Sequence, residues 1–215
     1  MKLKTNLDEI IYNKIIESLI RGEYSVGEKI MLNDLCEKFE VSRTPVNQAV
    51  KMLSKDGILT IMTNGRVYVP EYEYDTVRQI CKVREIVETY ALSELLNEAD
   101  EEIFYKKVEK LERYAKKCEE NLEKKDYVAI AMEDIQFHRA IVECAENPIL
   151  TDLYSSVQGR FIVVNYLVRP LKERNYEGTV QEHFELIGLL KERDEEKTIE
   201  KIKEHINGIA VCIKK

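Results

Sequence analysis

From Thr76 almost to the C-terminus, apolar side chains recur every three or four positions, with breaks only at Asn97, Asp126, Asn147-Pro148, Arg169-Pro170, Gly178 and Asp194. That spacing places one apolar stripe on each helix, and such stripes leave water only by packing against one another. The pattern predicts helices over 76–98, 101–123, 126–145, 148–168, 178–192 and 195–213, an all-helical antiparallel bundle. Only 8 Gly and 4 Pro occur in 215 residues, which favours helix along the rest of the chain as well.

The first seventy residues follow a different plan. Leu7, Ile11, Ile15 and Leu19 predict a helix over about 7–21 that ends at Gly22, and Leu32, Leu35, Cys36 and Phe39 predict a short second one. A third opens at "VSRTPV", where Ser42 or Thr44 can cap the first backbone N–H groups and Pro45 suits the first turn. It runs to Asp56-Gly57, with Val46, Ala49, Val50 and Leu53 on its apolar face. "GILTIMTNGRVYVP" then predicts a hairpin of Ile58–Met62 and Arg66–Val69 around Asn64-Gly65. Three helices and a hairpin make a winged helix-turn-helix. The fold expected is therefore mainly α, with a winged helix-turn-helix in 1–70, a linker in 71–76 and a helical body in 77–215.

The net charge of -7 argues against a nucleic-acid binder only until it is divided. Residues 1–70 hold 10 Lys+Arg against 9 Asp+Glu, leaving 23 against 31 of the whole-chain 33 and 40 for the rest. A near-neutral head on an acidic body permits DNA contact through a local patch. The residues expected at that patch are Ser42, Arg43, Thr44, Asn47, Gln48 and Lys51 on the third helix and Asn64, Gly65 and Arg66 on the wing. Five scattered cysteines without a C-x-x-C pair predict reduced thiols, and no apolar run is long enough to span a bilayer. A cytoplasmic protein is expected.

In the body, the polar residues on apolar stripes carry the chemistry. Asp134 and His138 point inward at i, i+4, His183 lies among Leu186, Ile187 and Leu190, and His205 borders the stripe of Ile199, Ile202, Ile206 and Ile209. Each histidine alone can be an ordinary core residue. All three histidines of the chain beside one inward carboxylate form an O/N ligand set suited to Zn, Ni, Mn or Fe. Arg84 also sits mid-stripe, either paired internally with Glu88 or binding the carboxylate of a small organic acid, and Arg160 and Asn165 are further candidates to line that cavity.

"GEKIMLNDLCEKFEVSRTPVNQAVKMLSKDGILTIMTNGRVYV" resembles the DNA-binding domain of the GntR family of bacterial transcription regulators. Val26 replaces a common Pro, and Asn47-Gln48 replace the family's usual Arg-Glu; since the Arg at the place of Asn47 commonly contacts DNA in the family, its loss implies an operator unlike the usual one. "DIQFHRAIVECAENPIL", "EHFELI" and His205 resemble the FCD ligand-binding domain of the FadR-type branch. The resemblance implies a divalent metal on Asp134, His138, His183 and His205, an acid effector, a homodimer and a repressor of transcription that is not an enzyme. A metal-dependent hydrolase, or a DNA-binding regulator with a purely structural metal, are the competing readings.

Overall fold

The computed structural model describes residues 7–167, 171 and 174–212. Its elements run α1 (Leu7–Ile20), β1 (Lys29–Ile30), α2 (Leu32–Phe39), α3 (Arg43–Lys55), β2 (Thr60–Ile61), β3 (Val67–Tyr68), α4 (Tyr74–Leu96), α5 (Glu101–Glu123), α6 (Tyr127–Glu143), α7 (Pro148–Ile162), a π-helical turn (Val163–Leu167), α8 (Tyr176–Lys191) and α9 (Glu195–Cys212).

The head has the expected winged helix-turn-helix and one strand more. β1 pairs antiparallel with β3, Ile30 opposite Val67, and β2 pairs with β3, Ile61 opposite Val67, giving the order β1-β3-β2. Two residues are too few to show a period of two, so β1 left no trace in the sequence pattern. The wing turns where expected, with Gly65 at φ 77° and Asn64 Oδ1 accepting from the Arg66 amide at 3.1 Å. The expected cap on α3 is corrected. Ser42 stands at the N-cap position, but its side chain accepts no capping hydrogen bond.

Body helices begin where Asp and Asn satisfy the first amides. Asp100 accepts from the Ile103 N–H at 3.1 Å, Asp126 from Ala129 at 3.0 Å, and Asn147 from Ile149 and Leu150 at 3.1 Å. Asn175 does the same for Gly178, so α8 starts at Tyr176 rather than at the expected 178. α4 starts at Tyr74, inside the stretch expected as a linker. Arg169-Pro170, expected to end the helix after Asn147, lie outside the described residues.

One apolar cluster joins α4, α5, α6, α7, α8 and α9 through Leu95, Phe104, Leu111, Phe137, Ile141, Phe161, Ile187 and Ile206. A second belongs to the head, with Ile11, Ile15, Leu19, Leu35, Val46 and Leu53, yet it continues without a break into Ala131, Ile135, Ile162, Val163 and Tyr166 of the body. The helical body thus completes the core of the head. Contact is closest at Gly159 of α7, where a Cβ atom would lie 2.1 Å from the Asp56 carbonyl oxygen. Tyr12 donates to Asp56 Oδ2 at 2.8 Å and Tyr72 to the Gly57 carbonyl at 2.7 Å, fixing the end of α3 against both neighbours.

Candidate functional site

Asp134 and His138 lie one turn apart on α6, His183 comes from the middle of α8, and His205 from α9. All four are buried, and one ligand atom from each lies within 4.8 Å of every other. His183 Nε2 is 3.3 Å and His138 Nε2 3.7 Å from Asp134 Oδ1, and His138 Nε2 is 3.1 Å from His205 Nε2. His183 is held flat against Phe137, with ring centroids 3.9 Å apart.

Hydrogen bonds to the far ring nitrogens settle what faces the centre. His138 Nδ1 is 2.7 Å from Glu88 Oε2, and His205 Nδ1 is 2.6 Å from Glu182 Oε2. A carboxylate only accepts, so each Nδ1 carries a proton and each Nε2 is the nitrogen turned to the centre. There the two Nε2 atoms meet at 3.1 Å. Asp134 Oδ1 and both nitrogens of His183 are buried without a hydrogen bond, which costs roughly 1–3 kcal/mol for each such group. A cation at the centre would satisfy Asp134 Oδ1 and one nitrogen of His183. Ligand bonds of about 2.1 Å meeting at tetrahedral or octahedral angles separate ligand atoms by about 3.0–3.4 Å, close to the observed distances. The carboxylates behind His138 and His205 are the usual outer support of a metal-bound histidine, a support His183 lacks.

Protonation suits the same role. Burial disfavours an imidazolium, pushing His183 down to about 4 and His138 also below its ordinary value. Burial opposes the charge of Asp134 too, but His183 and His138 outweigh it and hold the carboxyl well below the usual range. The set near neutrality is one carboxylate with neutral His138 and His183.

Arg84 is 1 % exposed and Glu88 0 %. Arg84 Nε donates to Glu88 Oε1 at 2.8 Å, and the guanidinium lies 3.9 Å above the Phe161 ring. Its Nη1 and Nη2 are buried and make no hydrogen bond. Arg84 therefore forms the internal pair through Nε and leaves the fork beyond it unsatisfied. The other two candidates have partners of their own. Arg160 bonds through Nη1 to the Ser156 carbonyl at 2.8 Å and packs on Gly57 of the head. Asn165 is buried and accepts from Arg174 Nη1 at 2.9 Å through Oδ1.

At the opposite end, Ser42, Arg43, Thr44, Gln48 and Lys51 are exposed along the first turns of α3, with Asn47 half-buried beside them. Asn64, Gly65 and Arg66 are exposed on the wing. Arg43 is exposed at the N-terminus of α3, the positive end of the helix dipole and one suited to phosphate.

Residues 7–69 match the family described as "Bacterial regulatory proteins, gntR family", and residues 79–208 match the FCD domain. The chain belongs to the GntR family. This GntR regulator is 25 % identical over 202 residues to an uncharacterized HTH-type transcriptional regulator, YdhC, of Bacillus subtilis (strain 168), covering 91 % of this chain and 86 % of that protein. It is 23 % identical to the gluconate operon transcriptional repressor of Bacillus licheniformis, covering 89 % and 78 %. Its fold matches that of E. coli McbR/YncC with a TM-score of 0.79 at 20 % identity, covering 97 % of both chains. Its families and relatives are transcriptional regulators, so the GntR chain is a DNA-binding regulator and not an enzyme. Among its described residues no helix is long and apolar enough to cross a membrane.

Sequence reasoning missed several residues that hold the site. Glu88 was legible only as a partner of Arg84, while its bond to His138 depends on how α4 and α6 pack. Glu182, Tyr154 and Tyr166 carried no signal, since a Glu beside a His or a Tyr on an apolar stripe is ordinary in helices. Tyr154 donates to Glu88 Oε1 at 2.6 Å and Tyr166 to Asp134 Oδ2 at 2.7 Å.

Glu88→Gln removes the charge opposite Arg84 while keeping its volume. Denaturant unfolding is expected to show a loss on the order of 3–5 kcal/mol, largely recovered in the double variant Glu88→Gln with Arg84→Met. A single variant as stable as the parent protein contradicts this account of the pair.

Proposed function

We propose that the chain binds operator DNA as a homodimer in the cytoplasm and that a small organic acid, held at a divalent metal in the helical body, sets its affinity for that DNA. The division follows the sequence reading, with 1–70 as reader and 77–215 as effector-binding and dimerising unit. The observation that carries the proposal is the unsatisfied centre, in which the His183 nitrogens, Asp134 Oδ1 and the Arg84 fork are all buried without hydrogen-bond partners. Asp134, His138, His183 and His205 would hold Zn, Ni, Mn or Fe, which when bound supplies a Lewis-acidic anchor for a carboxylate. A purely structural metal accounts for the histidines but leaves Arg84 Nη1 and Nη2 unexplained, which favours an anionic effector.

For the head, Arg43 and Arg66 are assigned to phosphates, Asn47, Gln48 and Lys51 to base edges, and Ser42, Thr44, Asn64 and Gly65 to close contact along the backbone. Asn47 is suited to adenine where the family's usual Arg suits guanine. Repression, as in the relatives, follows if the bound operator overlaps a promoter. The dimer reading rests on an exposed apolar face. Val83, Ile86 and Tyr90 on α4 share one stripe, and Ile149 and Leu153 share another on α7, which packs against α4. Ile149 is 75 % exposed, a costly position for an isoleucine unless a second copy covers it.

Three measurements test the parts separately. In titrations of DNA from upstream of the chain's own gene, Arg43→Ala and Arg66→Ala should each weaken binding and lower the salt slope by about one for every phosphate left without its cation; unchanged affinity and slope in both would refute the assignment. Elemental analysis of protein purified without added metal should find about one divalent ion per chain, absent from His183→Ala with His205→Ala. A metal-free parent protein whose operator binding still responds to small acids would remove the metal from the proposal. Ile86→Glu with Leu153→Glu should halve the mass seen by light scattering, and an unchanged dimer would place the interface elsewhere.

A further inference from the structure

Tyr166 belongs to two parts of the molecule at once. Its hydroxyl donates to Asp134 Oδ2 at 2.7 Å, so the carboxylate turns its other oxygen, the one without a hydrogen bond, toward His183 and His138. Its ring is buried in the apolar cluster that contains Ile11, Ile15 and Leu19 of α1. Arg174 clamps it from outside, stacking 4.6 Å above the ring and bonding Asn165 next door.

Its aim depends on a backbone irregularity. α7 continues as a π-helical turn over Val163–Leu167. A π turn takes up an extra residue and re-aims the following side chains by roughly one residue's rotation, about 100°. Such turns are poorer in hydrogen-bond geometry and occur mostly at functional positions. α1 packs against this turn and against α6, which carries Asp134. Tyr166 thus bonds the ligand carboxylate from within the core that it shares with the first helix of the head.

We propose that Tyr166 is the positioning residue that couples the cation site to the winged-helix head, its hydroxyl fixing the Asp134 carboxylate and its ring carrying any shift of that carboxylate into the core shared with α1. The proposal rests on the reading of Asp134 as a cation ligand. A cation drawing on Oδ1 changes the carboxylate's position and the strength of its bond to Tyr166. The tightly packed ring has no room to absorb that change alone, and the π turn and α1 move with it.

Tyr166→Phe keeps the ring and deletes the bond. Zn(II), with Mn(II) in parallel, is titrated into full-length parent and variant by calorimetry, and hydrogen exchange of α1 amides is followed with and without saturating metal. The parent is expected to bind metal and to change α1 protection when it does. The variant is expected to bind ten- to a hundredfold more weakly, the usual loss when a ligand's outer hydrogen bond is removed, and at saturation to leave α1 protection unchanged. A purely packing role would alter α1 exchange equally with and without metal and would leave metal affinity near that of the parent. The coupling is overturned if the variant retains the parent's metal-linked change, or if the parent binds metal with no change at α1. A parent that binds neither metal would overturn the metal reading itself, and the coupling with it.

Discussion

The carboxylate of Glu88 is the group on which the rest of the body depends. It is fully buried and accepts from Arg84, Tyr154 and His138, three helices meeting on two oxygen atoms. Burial alone would raise its pKa, but Arg84 and His138 overcome this and lower it to about 2, so it remains charged at any pH the protein meets. A buried charge is tolerated only when its hydrogen-bonding capacity is filled, and Glu88 meets that condition. Its place between Arg84 and His138 makes one acid responsible for both halves of the proposed effector site. It aims the guanidinium and it selects the His138 tautomer. Glu182 repeats the second function for His205 at the edge of the bundle, where it is half-buried.

Head and body share an apolar core. The last turn of α3 meets α7 at Gly159, where only hydrogen fits against the Asp56 carbonyl, and α1 lies on α6 and on the π turn. An effector regulates DNA binding only by favouring one arrangement of the head over another, and coupling energies of this kind amount to about 1–3 kcal/mol. A difference of that size corresponds to rearranging one or two buried side chains. α7 and the π turn that extends it reach Glu88 through Tyr154, Arg84 through Phe161, Asp134 through Tyr166 and the head through Gly159 and Ile162.

Much of this was legible in the chain itself. The 3.6-residue period located every long helix within a few residues, because a stripe of Leu, Ile and Val is written locally. Asn64-Gly65 located the wing, because a tight hairpin needs positive φ there. Three histidines and an aspartate on inward faces pointed to a common centre, because a buried polar group must find a partner. β1 escaped, being two residues long and defined only by its pairing with β3. The side-chain cap on Ser42 was a sound local expectation that the fold did not use.

Tertiary structure decided the rest, and the reason is the same throughout. Helical periodicity states which face of a helix turns inward but not what it meets there. Arg160 and Asn165 lay on the right helix for the cavity, yet packing turned Arg160 toward Gly57 of the head and bonded Asn165 to Arg174. The π turn that aims Tyr166 at Asp134 is invisible to a rule that assumes 3.6 residues per turn. The amino-acid order determined the elements, their inward faces and the chemistry available at the centre. Contacts between residues far apart in the chain, such as Glu88 with His138 and Tyr166 with Asp134, exist only once the helices are packed, because distance in space and not in sequence sets the strength of a hydrogen bond.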